Sequence, residues 1–216
     1  MPFKRVYVSK KTQYTPSSCN EEVRIVPPKW QIDRFLTKPI FFWKPNEPYG
    51  YFCQWYQSNM TDENGQIFNC CEQYMMWHKA KAFGDSITMS AVLKEINPIN
   101  QKALGKQVQG FHDDEWDEIK YDVVLHGNML KFSQCMARDD DTFVYPSEYR
   151  ERDVTLKHLL LATDSRELAE ASRFDKVWGI GKSAADAENT AREEWGENLL
   201  GKALMAVRKQ LQDKRE

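Results

Sequence analysis

The run from Asp113 to Gln134, "DDEWDEIKYDVVLHGNMLKFSQ", constrains this chain more than any other stretch. It contains no proline, it places Trp116, Ile119, Val123 and Leu130 on one broad helical face, and its opening acids suit the positive end of a helix dipole. The spacing predicts a long helix whose apolar side must be covered by other elements. "CEQYMMWHKAKAFGD" offers one cover: Tyr74, Met75, Trp77 or His78, and Ala82 recur near the helical period, and Gly84 stops a helix predicted over about residues 71 to 83. The tail from Ala184 offers another, interrupted near "WGEN", with a stripe of Leu200, Ala203, Leu204, Val207 and Leu211. Shorter helical patterns occupy about residues 89 to 96, 100 to 105 and 153 to 162.

Strand signals are fewer. "KPIFFW" at 38 to 43 reads as a strand ended by Pro45 and the "NEPYG" turn, and "ELAEAS" reads as strand or helix. The β-like runs "RVYVS" and "VRIV" belong to residues 1 to 38, expected to form an extension packed on one domain spanning 39 to 213. No repeat divides the 216 residues, and no apolar run approaches the ~20 residues of a membrane span. A soluble monomer without a membrane partner is expected.

Charge excludes one class of function. Thirty basic residues against 32 acidic ones leave no global basic field, so a nucleic-acid partner has to be held locally. Five cysteines, odd in number and without a C-x-x-C pair, follow an N-terminus lacking a signal-peptide core. Reduced thiols in the cytoplasm or nucleus are expected.

Gly181-Lys182-Ser183 ends as a P-loop ends, but the motif requires its first glycine at position 176, where Lys176 stands. Gly179 and Gly181 then mark either a tight turn or a close backbone approach to a ligand. Asp175 and Trp178 beside them tilt the reading toward a ribose-containing ligand, which uses a carboxylate, a stacking ring and exposed amides. Glu72 and Lys79 are seven residues apart, ~700° of helix rotation, so both point to one side about 10 Å apart along the axis and can flank one ligand. A partly desolvated lysine there can attack an anomeric carbon while a carboxylate moves protons; solvated surface charges would look the same. His78 and "HDDEWDE" lack the paired spacing of a zinc site, so no metal is expected, and Cys70-Cys71 reads as structural.

Taken in order, "GYFCQWY", "CEQYMMWHKAKAFGD", "ALGKQV", "DDEWDEIKYDVVLHGNMLKFSQ", "LLLATDSRELAEASRFDKVWGIG" and "WGENLLGKALMAVR" resemble the NADAR family, the YbiA-like proteins, from roughly Phe41 to Leu211. The resemblance implies an α+β, mainly helical, single compact domain with a few short strands, and an N-glycosidase activity needing no cofactor. It implies that Glu72, Lys79 and Asp175 are catalytic, with Lys79 either the nucleophile or a phosphate ligand beside a water attack assisted by Glu72. Trp116, Trp178, Gly179, Gly181, Asn198, Gly50 and Gln54 would bind substrate. Cys53-Gln54 stand where many relatives have Ser-Asn, and Lys106 where riboflavin-linked bacterial members have arginine, so these positions bear on substrate choice. Three functions compete: removal of ADP-ribose from guanine in nucleic acid, hydrolysis of ribosylated riboflavin-pathway intermediates, and reading of ADP-ribose or NAD without turnover. The first is favoured, because the extension and the changed pocket positions set this chain apart. "KRVYVSKK" would touch nucleic acid or form a solvated edge strand.

Overall fold

The computed structural model describes residues 38–138 and 154–213. The expected extension, with "RVYVS", "VRIV" and "KRVYVSKK", lies outside the described residues. In chain order the elements are β1 (Ile40–Phe42), a 3-10 turn (Gly50–Phe52), a hairpin of β2 (Met60–Thr61) and β3 (Ile67–Phe68), then α1 (Cys71–Ala82), α2 (Ser86–Lys94), α3 (Pro98–Gly105) and α4 (Asp113–Gln134). After these come α5 (Leu156–Leu161), β4 (Leu168–Glu170), α6 (Ala184–Ala187), a second 3-10 turn (Arg192–Glu194) and α7 (Leu199–Asp213). The result is a mainly helical domain with a few short strands, and none of its described helices is long and apolar enough to cross a membrane.

Local chemistry sets the ends. Asp85 caps α2 by accepting from Thr88 N at 2.9 Å, and its other oxygen accepts from Gln109 N at 2.9 Å, tying the helix to the chain beyond α3. Asn97 caps α3, with Pro98 in its first turn. The stripe expected along the tail is buried in full: Leu200, Ala203, Leu204, Val207 and Leu211 are at most 3% exposed, and α7 packs on α4, α5 and β4. "ELAEAS" resolves as a strand, because β4 pairs in parallel with β1, Ile40 opposite Leu168 and Phe42 opposite Glu170. Two residues per strand leave no alternation to see, and the β2–β3 hairpin went unforeseen for that reason.

One expectation needs correcting. The face of α4 that turns inward carries Trp116, Val124, Gly127, Asn128, Lys131 and Phe132, while Ile119 is 38% exposed and Val123 and Leu130 are only half-buried. Hydropathy pointed one way and packing chose another, because two polar side chains on this face have buried partners. Lys131, wholly enclosed, donates to Cys53 O at 2.9 Å. Asn128, also enclosed, donates to Gln54 Oε1 at 3.0 Å and to Val124 O at 2.8 Å. Burial without such partners would cost several kcal/mol (~2–7 for an amide or hydroxyl), so these bonds fix where the 53–54 segment lies against α4. Gly127 lets α1 approach closely, since a Cβ there would sit 2.8 Å from the Tyr74 ring.

Candidate active site

The segment held by Asn128 and Lys131 forms one wall of a cavity of about 410 Å³. Gln54 and Trp55 meet Glu72, Met75 and Met76 from α1 on that side. Trp116 and Lys120 of α4, Lys102 of α3, and Glu170 with the Phe174–Trp178 loop complete it. A second cavity of about 540 Å³ adjoins the first and is lined by Trp43, Lys44, Asn46 and Ser172, among others. Cys53, Trp55, Lys102, Glu170, Phe174 and Asp175 line both, so the two are lobes of one cleft that meet at Lys102 and Glu170.

Two glutamates line this cleft, and their surroundings differ. Glu72 is 5% exposed and accepts from Trp55 Nε1 at 3.1 Å. Burial raises its pKa, while Lys102 and the indole N–H pull it back toward the charged form. Glu170 ends β4, and its Oε2 is buried without a hydrogen-bond partner. Burial pushes its pKa up to about 8, Asp175 and Glu72 add to the rise, and Lys102 opposes it. At neutral pH Glu170 is therefore chiefly a neutral acid, with a proton to give. Gln54 also carries an unpartnered buried atom, Nε2, on the same lining. The site thus holds one orphan donor and one orphan carboxyl oxygen.

The structure gathers Glu72, Gln54, Trp116, Asp175 and Trp178 around the first lobe. Lys79 is not among the residues that line either lobe. Seven residues carry it two turns along α1, where its ammonium packs 3.7 Å from the centre of the Phe111 ring. Burial lowers its pKa, and Asp113 works in the opposite direction. Gly50, Gly179, Gly181 and Asn198 also stand behind the wall rather than in it. Asn198, in a left-handed conformation (φ 53°), accepts from Glu170 N at 3.1 Å and donates to Leu168 O at 2.9 Å, so its amide holds β4 in place. Gly179 is closely packed: a Cβ there would lie 2.8 Å from Glu170 O, and the residue closes the turn beside β4. Gly181 (φ +67°) donates to Asp175 O at 2.8 Å within the same turn. Lys182 pairs with Glu194 at 3.5 Å, in keeping with the missing P-loop.

Asp175 has a structural duty besides its place on the lining. Its Oδ1 accepts from Val177 N at 3.0 Å and Trp178 N at 2.7 Å, which curls the loop and sets the Trp178 ring against the first lobe. Glu170 and Lys102 are the site residues that sequence reasoning missed. The available signal was a second carboxylate five residues before Asp175, inside the same matched segment. The cysteines stay structural: burial pushes Cys53, Cys70 and Cys71 each up to about 12, so these thiols remain protonated.

A sequence model of the NADAR domain matches residues 41–212. The chain belongs to the NADAR domain family. An N-glycosidase of Acanthamoeba polyphaga mimivirus is 37% identical over 166 residues, 74% of this chain and 87% of that protein. A riboflavin biosynthesis protein of Vibrio vulnificus is 27% identical over 178 residues, and the match spans 82% of this chain but only 40% of that protein. The NMR structure of the Escherichia coli protein YbiA superposes with a TM-score of 0.60 at 22% identity, covering 82% of this chain and 87% of that one, and shares the fold. Relatives named N-glycosidase support a glycosidase enzyme in this NADAR protein.

Proposed function

We propose that this protein hydrolyses the N-glycosidic bond joining ADP-ribose to guanine in nucleic acid. One observation carries the reading: Glu72 and Glu170, made unlike by their surroundings, stand with Lys102 in a two-lobed cleft with aromatic rings in each lobe. A guanine adduct of ADP-ribose has ring systems on both sides of the scissile bond, and each lobe gives one side a place. Glu170 donates its proton to the departing guanine nitrogen as the bond to the anomeric carbon breaks. Water on the other face is deprotonated by Glu72, its oxygen bonds to that carbon, and ADP-ribose and unmodified guanine leave. Lys102 stands beside both carboxylates and offsets the charge that passes from one to the other. This route needs no covalent intermediate on Lys79. A module that only reads ADP-ribose has no use for an unpartnered carboxyl held near pKa 8 in its cleft.

The second reading, hydrolysis of a ribosylated riboflavin-pathway intermediate, is favoured by the Vibrio relative. Incubation with a guanine-ADP-ribosylated oligonucleotide and, separately, with a ribosylamino pyrimidine intermediate tests both, with release followed by mass spectrometry. Release of ADP-ribose that vanishes in Glu170→Gln supports the first reading. Turnover of the small intermediate alone replaces it with the second.

A further inference from the structure

The two lobes differ in what they offer a ligand. The first sets Trp116 and Trp178 among charges of both signs: Lys176 and, at the junction, Lys102 can meet phosphate, Glu72, Glu170 and Asp175 can meet hydroxyls, and Lys120 is engaged by Asp117 at 2.6 Å. That chemistry suits a ribose carrying phosphate, with an aromatic ring beyond it. The second sets Trp43 and Trp55 beside the neutral hydrogen-bonding groups of Asn46 and Ser172. Its own lysine, Lys44, is already engaged, 4.1 Å over the Trp43 ring and 3.6 Å from Glu47. Phe174, on both linings, is 88% exposed, far more than a ring of that size needs to be. An exposed ring at the lip of an aromatic cleft is a stacking surface for a flat group arriving from outside.

We infer that the second lobe is the leaving-group subsite, in which Trp43 and Phe174 stack on the departing heterocycle and Asn46 and Ser172 meet its polar edge. The assignment rests on the proposed N-glycosidase reading and adds direction to it: phosphorylated ribose lies in the first lobe, the base in the second, and the scissile bond at Lys102 and Glu170. A base still attached to a polymer then enters from the Phe174 side, and its strand stays outside the cleft. The heterocycle is recognised as a ring with hydrogen-bonding edges, which both guanine and a pyrimidine provide.

Variants confined to one lobe test this in the full-length protein. Trp43→Ala is expected to raise KM for the ADP-ribosylated oligonucleotide about tenfold, the size of one lost base stack, with kcat within about twofold. Its calorimetric Kd for free ADP-ribose stays that of wild type, which also establishes that the variant is folded, and Trp43→Phe recovers most of the lost KM. Lys176→Ala does the reverse and weakens ADP-ribose binding. Equal loss of ADP-ribose affinity in Trp43→Ala, or an unchanged KM, overturns the assignment. If wild type spares the oligonucleotide but turns over the ribosylamino pyrimidine, the guanine reading fails alone, and the same KM comparison on that substrate decides the subsite. If neither is turned over, saturation-transfer NMR of free guanosine with ADP-ribose saturating decides it instead. A guanosine signal lost in Trp43→Ala supports the subsite; no signal in wild type, or one that persists, overturns it.

Discussion

The two walls of the cleft carry the same functional group with different hydrogen-bond partners. On the α1 wall, Glu72 has an indole N–H donating to it and sits on a twelve-residue helix. On the β4 wall, Glu170 ends a three-residue strand, and its Oε2 has no hydrogen-bond partner. Burial raises the pKa of both carboxyls, and the N–H of Trp55 favours the charged form of Glu72 alone, which makes Glu72 the better placed of the two to act as base in the proposed reaction.

Making the walls alike should therefore cost the most. Glu170→Gln cannot donate a proton and Glu72→Gln cannot accept one, so each is expected to lower kcat by ~10²–10⁴, read from product release at saturating substrate. In wild type the same division predicts a kcat/KM that falls as pH rises through about 8, where Glu170 loses its proton. A flat profile across that range would remove Glu170 from the role of acid.

Charge between the walls comes next. Lys102→Ala is expected to reduce kcat/KM by about tenfold or more, as for one lost charge-assisted contact, while Lys79→Ala, whose ammonium rests on Phe111 outside the lining, changes it by less than about threefold. The reverse order would return the chemistry to α1 and to a lysine nucleophile. Trp55→Phe sharpens the comparison more gently. Without the donor to Glu72, the acidic limb of the kcat/KM profile is expected to move up by ~1 pH unit.

The last effect is on stability. Because folding raises the pKa of Glu170, its neutral form suits the native state at low pH, and that advantage is lost as pH rises from the unfolded value of 4.5 through about 8. Glu170→Gln, which cannot ionise, should match wild type near pH 4 and exceed its melting temperature near pH 9. Thermal scans at the two pH values check the crossover.

Much of the frame was legible in the sequence, and part of the site was legible on both walls. The stripe on α7 follows from apolar spacing within a single element, which is what periodicity reports, while the end of α1 is marked by Gly84 and not by a stripe. The inward face of α4 does not follow from such spacing, because Asn128 and Lys131 count as surface residues on any hydropathy scale. Only their partners, the carbonyl of Cys53 and the amide of Gln54, make their burial tolerable, and those lie more than 70 positions away. Glu72, Asp175 and Trp178, singled out by their own spacing and chemistry, and Trp116, which came through resemblance, stand on the lining. Glu170 was not singled out, since "ELAEAS" is ambiguous alone and becomes a strand only against Ile40–Phe42. Lys102 looked like any exposed helix charge. Asn198, expected at the ligand, braces the strand that bears Glu170.

That brace has a consequence for how the protein is made. Glu170 is held on one side by pairing with Phe42, 128 positions earlier, and on the other by Asn198, which follows it by 28. Contacts so distant in sequence carry the loop-closure cost of bringing remote segments together, and they form after local helices such as α1. During synthesis the base wall can take shape while the acid wall is still without its strand partner or its brace. The activity of the enzyme should therefore appear in a single late step, after most of the helical signal has returned, and refolding followed at once by circular dichroism and by turnover would show the second lagging the first.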